Sequence, residues 1–307
     1  MARTKLRGVE LGGVRLAIEI PPVFSWRWPE TWPFDLACPP HEPDVYVAVR
    51  VGTIAVPRFD AITYSCEGGS FEIGRVGQDW VVAVHGRERF ERVARFDADF
   101  REGEIVISPR ALSNGAHGVE HPLQHPVDDL IVMHRVVRDG GLMVRGSALL
   151  RRGSALVFLG GGAPPADPSL GRGEAKHVSR LLARDQVVLR SGDGGVRAYG
   201  TPWRERTGIR GPTSARLEAL YVMRSPHNGV AVQRLDPERA LRELLAQSFA
   251  PVHDPESAER QLQAARGVIE RVPLLALDRR RHSAEGVVAF GWGQRQAAMG
   301  FAPPMAE

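Results

Sequence analysis

Short runs of alternating apolar and polar residues dominate the first third of the chain, and Gly and Pro residues separate them. Alternation with a period of two, rich in β-branched residues, is typical of half-buried strands. Strands are therefore predicted over Asp44–Val56, Ser70–Val76, Asp79–Gly86 and Gly103–Pro109. Between the last two, the spacing of "GRERFERVARF" favours a short helix over Gly86–Phe96. Residues 1–118 are predicted to form a β-rich N-terminal domain.

The pattern changes after a loop rich in Gly, Asn, His and Pro, over Leu112–Pro126. Val127–Gly141 has the apolar spacing of a helix that ends at a glycine. Leu142–Gly162 has the pattern of two strands joined by a tight "RRG" turn. Another strand is predicted over Ser179–Ser191, and a hairpin over Gly192–Trp203.

Two amphipathic helices are predicted near the end of the chain, over Asp236–Phe249 and Asp254–Val272. Each opens with Asp at the N-cap and Pro at the first helical position, which is a strong start signal. Extended character returns over Pro273–Phe290. Residues 119–307 are therefore predicted to form an α/β domain.

Composition narrows the classes of function. The net charge is +4, but the arginines are interleaved with Asp and Glu rather than clustered, so we expect no nucleic-acid partner. No apolar run approaches the roughly 20 residues that span a bilayer, so we expect no membrane partner. With only Cys38 and Cys66, and no pattern of a signal peptide, a reducing cytoplasm is the predicted compartment.

The stretch "LVFLGGGAPPADPSLGRG" (Leu156–Gly173) carries the strongest hint of chemistry. A β-branched and aromatic strand leads into a Gly-rich turn, which is how phosphate-binding loops begin. The segments "HPVDDLIVMH", "VRGSALLRRG", "SALVFLG" and "RDQVVLR…GGVRAYGTPW" follow one another in an order that resembles the HPr kinase-like group of P-loop proteins. The resemblance covers about Pro122 to Phe290. It implies a P-loop HPr kinase-like core after the β-rich N-terminal domain.

The resemblance places a Walker A sequence of the type GxxGxGKST at the turn, and this chain departs from it. Gly160 stands at the first glycine, and Gly161 and Gly162 follow it. Ala166 stands where the phosphate-binding lysine belongs, and Asp167 begins the Ser/Thr pair. The intervening prolines remove amide donors that would hold the phosphates. We therefore expect a phosphate loop that has lost its function.

Two further positions of the implied active site have changed. The family's acidic pair corresponds to Arg184 and Asp185, so Asp185 is the only catalytic acid that remains. An arginine cannot act as a general base because it stays protonated. Arg145 stands where relatives have a histidine, before the retained Ser147. We favour pairing of Arg145 and Arg184 with Asp167 and Asp185, and contact with an anion is the alternative.

The resemblance implies that the C-terminal helices and the segment "GTPW" face the substrate, so its residues are the predicted partner contacts: Gly200, Thr201, Pro202 and Trp203. The leading hypothesis is a catalytically silent protein that binds a protein or peptide, with self-association implied by the same resemblance and no cofactor. One alternative is an ATP- and Mg²⁺-dependent serine kinase with an atypical phosphate loop. Another is a regulator that binds anions or nucleotides through its arginines.

Four closely spaced histidines raise a separate possibility of a zinc site: His117, His121, His125 and His134. The prolines between them prevent the four-residue spacings from lying on one helical face, and no cysteine is nearby. We therefore interpret them as ordinary loop and helix histidines and predict no metal.

Overall fold

The described chain folds into two sheets and a small set of helices. The structure, a computed structural model, describes residues 4–23, 34–55, 57–65, 70–86, 90–113, 121–160, 180–203, 213–224, 232–251 and 254–278. Over these residues the protein is mixed α/β and consists mostly of strands. The β-rich first part and the α/β second part agree with the patterns in the sequence, whereas the finer P-loop assignment stays a prediction.

The N-terminal sheet contains nine strands within the described residues. They are β1 (Lys5–Leu11), β2 (Val14–Ile20), β3 (Asp35–Leu36), β4 (Val45–Val51), β5 (Ala61–Ser65), β6 (Phe71–Val76), β7 (Asp79–His85), β8 (Phe90–Phe96) and β9 (Glu102–Ile107). Their order is β3-β1-β2-β4-β9-β8-β7-β6-β5. The pairs β2–β4 and β4–β9 are parallel, and the strands from β9 to β5 form an antiparallel meander.

The helix predicted over Gly86–Phe96 is wrong for the described residues 90–96, which form β8. The segment "FERVARF" alternates with a period of two, and Arg92, Ala94 and Phe96 are buried in sequence along one face. Strands β7 and β9 flank it on both edges, so the ladder hydrogen bonds compensate for its weak strand composition. Tertiary pairing therefore overrides the local charge spacing that favours a helix.

Four helices are described: α1 (Pro109–Ser113), α2 (Val127–Arg138), α3 (Pro237–Ala246) and α4 (Glu256–Arg271). At α3 the predicted cap is confirmed, because the Asp236 carboxylate accepts the amide N–H of Arg239 at 2.9 Å. At α4 the predicted cap is wrong. The Asp254 side chain accepts the Ser257 hydroxyl and pairs with Arg138 of α2, so it joins two helices instead of capping one.

The second sheet also contains nine strands among the described residues. They are β10 (Gly141–Arg151), β11 (Ser154–Leu159), β12 (Arg180–Ala183), β13 (Gln186–Gly192), β14 (Gly195–Tyr199), β15 (Ser214–Arg224), β16 (Val232–Arg234), β17 (Ser248–Phe249) and β18 (Leu274–Asp278). The path β11-β10-β13-β14-β15 closes on itself, because β15 also pairs in parallel with β11. The predicted hairpin β10–β11 is confirmed. The strand predicted over Ser179–Ser191 is broken at Arg184 and Asp185 into β12 and β13, and the second hairpin pairs β13 with β14 over residues 186–199 rather than lying within Gly192–Trp203.

One hydrophobic core joins the two sheets. It contains residues from β1, β2, β4 and β6–β9 together with half of the residues of α2, and it reaches Met143, Val188 and Trp203 in the second half. The turn of the β1–β2 hairpin approaches the second sheet closely. A Cβ atom on Gly12 would lie 2.6 Å from Val188 Cγ2, and one on Gly13 would lie 2.7 Å from the Tyr199 ring.

Candidate functional site

The middle of β10 is the place where the predicted site residues meet. One edge of the strand pairs with β13 along residues 141–145 and then with β12 along residues 148–150, and the opposite edge pairs with β17 at residues 143–144 and then with β11 along residues 146–151. The end of β11 and the turn before β13 therefore converge on Arg145. Residues that are far apart along the chain come together here because a single long strand exchanges its partners at this point.

Backbone hydrogen bonds hold this junction. The N–H of Gly160 donates to the carbonyl of Arg145 at 2.9 Å, and the N–H of Gly146 donates to the carbonyl of Asp185 at 3.0 Å. Gly160 has a φ of 99°, which glycine adopts without steric cost, and Asp185 has a φ of 68°. Gly160 and Asp185 are thus both bound to the peptide unit between Arg145 and Gly146, from opposite edges of β10, and the site roles that the resemblance implies for them stay predictions.

The side chains at the junction are polar and incompletely paired. Arg145 is exposed, and within the described residues no ion pair joins it to Asp185, so that part of the predicted internal pairing does not form. Gln186 stands opposite Arg145 in the ladder. Its Oε1 atom and the Oγ atom of Ser147 are buried without a hydrogen-bond partner. Such atoms mark places that can receive water or a polar ligand.

The rest of the predicted loop cannot be compared with the structure. Gly161, Gly162, Ala166 and Asp167 lie outside the described residues. The predicted pairing of arginines with Asp167 and the loss of the phosphate loop therefore stay predictions from the sequence.

The predicted partner contacts at residues 200–203 are largely internal. The Thr201 hydroxyl is fully buried and donates to the carbonyl of Gln186 at 2.6 Å. Gly200 lies so close to β12 that a Cβ atom would come within 2.5 Å of the Leu182 carbonyl oxygen. Trp203 is buried and Pro202 is partly exposed. The segment therefore connects β13 and β14 to α2. Among its four residues, only Pro202 has a partly exposed surface that a partner can contact.

Trp203 takes part in a buried polar cluster that sequence reasoning missed. Its indole N–H donates to the Asp128 carboxylate, Oδ2, at 2.8 Å, and the other oxygen accepts the N–H of Asp129 at 2.9 Å. The Arg92 guanidinium lies buried beside them and donates to the carbonyls of Pro122 and His125. The cluster therefore ties β8, the loop before α2, the first turn of α2 and the end of the "AYGTPW" segment together.

Burial dominates the electrostatics of this cluster. Removal from water raises the pKa of Asp128 to about 7, and the neighbouring Asp129 charge acts in the same direction. The hydrogen bond from Trp203 opposes the rise because it favours the ionised form. Burial also lowers the pKa of Arg92 to about 10, against the field of Asp128. Asp128 is therefore poised to change its charge near neutral pH.

His125 and the two aspartates form the described group with the spacing of metal ligands. Their candidate ligand atoms lie within 4.8 Å of one another. The His125 Nδ1 atom lies 2.5 Å from Asp129 Oδ2, and this hydrogen bond raises the pKa of His125. Both oxygens of Asp128 already accept N–H groups, and Arg92 adds a positive charge nearby. We therefore assign the group to the structure around α2 rather than to a cation.

Two histidines of the considered zinc site, His125 and His134, have separate surroundings. His134 is fully buried and stacks on Phe100 with ring centroids 3.9 Å apart. His125 is exposed at the other end of α2, and His117 lies outside the described residues. The sequence does carry a signal for the Asp128 cluster, because a buried Trp needs an acceptor for its N–H. It does not say which of the acidic residues provides that acceptor.

None of the described helices is both long enough and apolar enough to cross a membrane. The chain matches no model of a known protein family, and a search of curated proteins finds no match either.

Proposed function

We propose that the protein is a catalytically silent relative of the HPr kinase-like proteins and acts as a binding or assembly module for a protein or peptide. The meeting of Gly160, Arg145 and Asp185 at the middle of β10 is the observation that carries the proposal. It supports a nucleotide-site ancestry for this junction because the Gly turn after β11 and the acidic turn before β13 bind the same peptide unit of β10 from its two edges.

The chemistry of the same residues argues against phosphoryl transfer. This reaction needs cations and Mg²⁺ on the phosphates and a carboxylate that accepts the proton of the attacking hydroxyl. After Gly160 the sequence supplies Ala166 and Asp167 in the places of the lysine and the hydroxyl. At the acidic turn Arg184 leaves a single carboxylate, that of Asp185. The loss of these catalytic groups favours binding over catalysis.

Isothermal titration with Mg·ATP tests this proposal against the alternative of an active serine kinase. We expect no heat of binding at ATP concentrations up to about 1 mM. A dissociation constant at that concentration corresponds to a binding free energy of roughly −4 kcal/mol. Mg²⁺-dependent micromolar binding that Asp185→Asn weakens would overturn the proposal in favour of the kinase.

The exposed side chain of Arg145 favours one further candidate, a site for a small anion at the same junction. Under this view inorganic phosphate binds the wild-type chain, and the double variant Arg145→Ala, Arg184→Ala loses that binding while it still recognises its protein partner. Equal heats of phosphate titration for the wild type and the double variant would exclude it. The arginines act here through charge-assisted hydrogen bonds, which need no lysine or Mg²⁺.

A further inference from the structure

An open groove runs between the end of α2 and one face of α4. It has a volume of about 410 Å³, which lies within the range of about 300–1,000 Å³ typical of ligand pockets. The floor is apolar and is formed by Val137 and Ala264, and the rim is polar. The lining residues are Val137, Arg138, Gly140, Ser191, Arg260, Gln263, Ala264, Gly267 and Arg271.

The spacing of residues along α4 creates this groove. Arg260, Ala264, Gly267 and Arg271 recur every three or four positions and therefore lie along one face of the helix. Small residues at the centre leave room between two arginines. At Gly267 a Cβ atom would lie 3.2 Å from Arg271 Nη1 and 3.9 Å from the Ser191 hydroxyl, so a larger side chain would enter the groove.

The charge of the groove is positive. Three of its lining residues are arginines, and none is acidic. Arg260 and Arg271 are exposed on the rim, while Arg138 lies deeper.

Two of the carboxylates near the groove are paired with arginines. Asp139 binds Arg135 at 2.8 Å and Arg190 at 3.2 Å. The Asp254 carboxylate lies 3.3 Å from Arg138, so it offsets the positive charge of the deepest of the three groove arginines. It does not offset the charges of Arg260 and Arg271 at the rim. The exposed Glu259 accepts a hydrogen bond from Gln263 Nε2 at 3.3 Å, so a ligand that enters along α4 meets two exposed guanidinium groups and one carboxylate at the rim.

We propose that this groove binds an acidic segment of a peptide or protein partner, with Asp or Glu side chains on Arg260 and Arg271. Guanidinium groups bind carboxylates through paired hydrogen bonds, and the polar Gln263 and Ser191 can hold the peptide backbone. The inference rests on the proposed function, since it names the chemistry of the partner. It places partner recognition at α4 rather than at the buried residues Thr201 and Trp203.

Fluorescence anisotropy with a labelled oligoglutamate peptide tests the inference on the full chain. We expect saturable binding that weakens as the salt concentration rises, because exposed charges are screened. A labelled oligoglutamine peptide of the same length should not bind. Reversal of both rim charges, Arg260→Glu with Arg271→Glu, should weaken binding by about tenfold or more, because attraction is replaced by repulsion.

The same helix supplies a matched control. Arg266 is exposed and lies outside the groove, so Arg266→Glu makes the charge change of one of the two rim substitutions without touching the proposed site. It should alter binding by less than about twofold, as expected of a screened, distant charge. Gly267→Leu fills the groove without changing the charge and should also abolish binding. Thermal melts of each variant show whether the fold is intact.

Absence of oligoglutamate binding, or an equal loss in Arg266→Glu and in the rim variant, would overturn the inference. Tighter binding of a labelled single-stranded oligonucleotide, lost in the same rim variant, would also overturn it and assign the groove to nucleic acid. These outcomes leave the proposed function untouched, because that proposal fails on Mg·ATP binding and not on this peptide.

Discussion

Asp128 is a carboxyl group that folding transfers from water into an apolar site beside Trp203 and Arg92. An unfolded aspartate loses its proton near pH 3.8, whereas burial raises the pKa of the folded one to about 7. Between these values the folded state binds more protons than the unfolded state. The free energy of unfolding must therefore fall as the pH rises through this window.

We expect the protein to melt at a lower temperature at about pH 8 than at about pH 5.5. His125 contributes in the same direction, because its raised pKa gives stability that is present below its usual value of 6.5 and is lost as the pH rises. This contribution is small, since its side chain is exposed to solvent. Thermal melts followed by circular dichroism across this range provide the measurement.

Two substitutions separate Asp128 from other titrating groups. Asp128→Asn should flatten the dependence of the melting temperature on pH, whatever its effect on stability. Trp203→Phe removes the hydrogen bond that lowers the pKa of Asp128, so the midpoint of the pH dependence should move to higher pH. A melting temperature that rises between pH 5.5 and 8 would contradict this account of the cluster.

The individual residues were predictable from sequence to different degrees. The motif comparison singled out Gly160, Arg145 and Asp185, and local strand and turn signals fix where each one stands along the chain; their roles stay predictions. The hydrogen bond between Asp128 and Trp203 was not predictable, since 75 positions separate the partners. Two acidic residues after Pro126 suggest an exposed helix start, and only tertiary packing buries one of them.

The helices α2 and α4 are joined by a buried ion pair. Arg138 Nη2 lies 3.3 Å from Asp254 Oδ2, and these side chains are only 11% and 6% exposed. The hydroxyl of Ser257 donates to the same carboxylate oxygen, and Arg138 also donates to the carbonyl of Ala98. The pair thus connects both helices to the loop between β8 and β9.

Loss of one partner of this pair should be costly. We expect Arg138→Met to lower the free energy of unfolding by about 3–5 kcal/mol, because it leaves a buried carboxylate without its cation. Adding Asp254→Asn should cost less than the sum of the single changes. Urea unfolding of the four proteins in the cycle provides the measurement.

The exposed pair between Arg242 and Glu238 on α3 serves as the control, since both side chains lie mostly in solvent. Arg242→Met should change stability by no more than about 0.5 kcal/mol. If Arg138→Met lowered the free energy of unfolding by no more than Arg242→Met does, the ion pair would not be what holds α4 in place.

At the level of elements, the sequence predicts best where the signal is local. The N-cap of α3 and the turn of the β10–β11 hairpin depend on residues that are adjacent in the chain, and both are confirmed. Strand β8 and the start of α4 are exceptions. Residues 90–96 have the charge spacing of a helix, but the neighbouring strands hold them in the sheet. Asp254 stands at a helix start in the sequence, but its carboxylate pairs with the distant Arg138.

The molecule as a whole is connected at the turn of the β1–β2 hairpin. Gly12 and Gly13 have φ values of 59° and 79°, and the carbonyl of Gly13 accepts a hydrogen bond from Arg190 at 2.6 Å. Together with α2, this turn links the N-terminal sheet to the second one. The predicted boundary after residue 118 falls outside the described residues, so the domain division itself stays a prediction.

We expect both halves of the chain to unfold in one cooperative step and Gly12→Ala to destabilise both together. The added methyl group meets Val188 and requires a strained backbone, so a loss of about 2–4 kcal/mol is expected. Coincident urea transitions by circular dichroism and tryptophan fluorescence would show the single step.

Gly77 provides the matched control. Its φ of 62° resembles that of Gly12, but nothing lies within 4 Å of an added Cβ atom. Gly77→Ala should therefore cost only about 1 kcal/mol, from backbone strain alone. Two separated transitions in the wild type, or equal effects of the two substitutions, would show that the hairpin turn does not couple the sheets.

The closed path of five strands has a consequence for synthesis on the ribosome. Strand β11 pairs with β10 through a two-residue turn, but its other edge pairs with β15, whose last partner residue is Val222. A growing chain therefore carries β11 with one unpaired edge until more than sixty further residues have been added. Such an edge is a template for wrong pairing with other chains, so the nascent protein passes through a stage that favours protection by a chaperone.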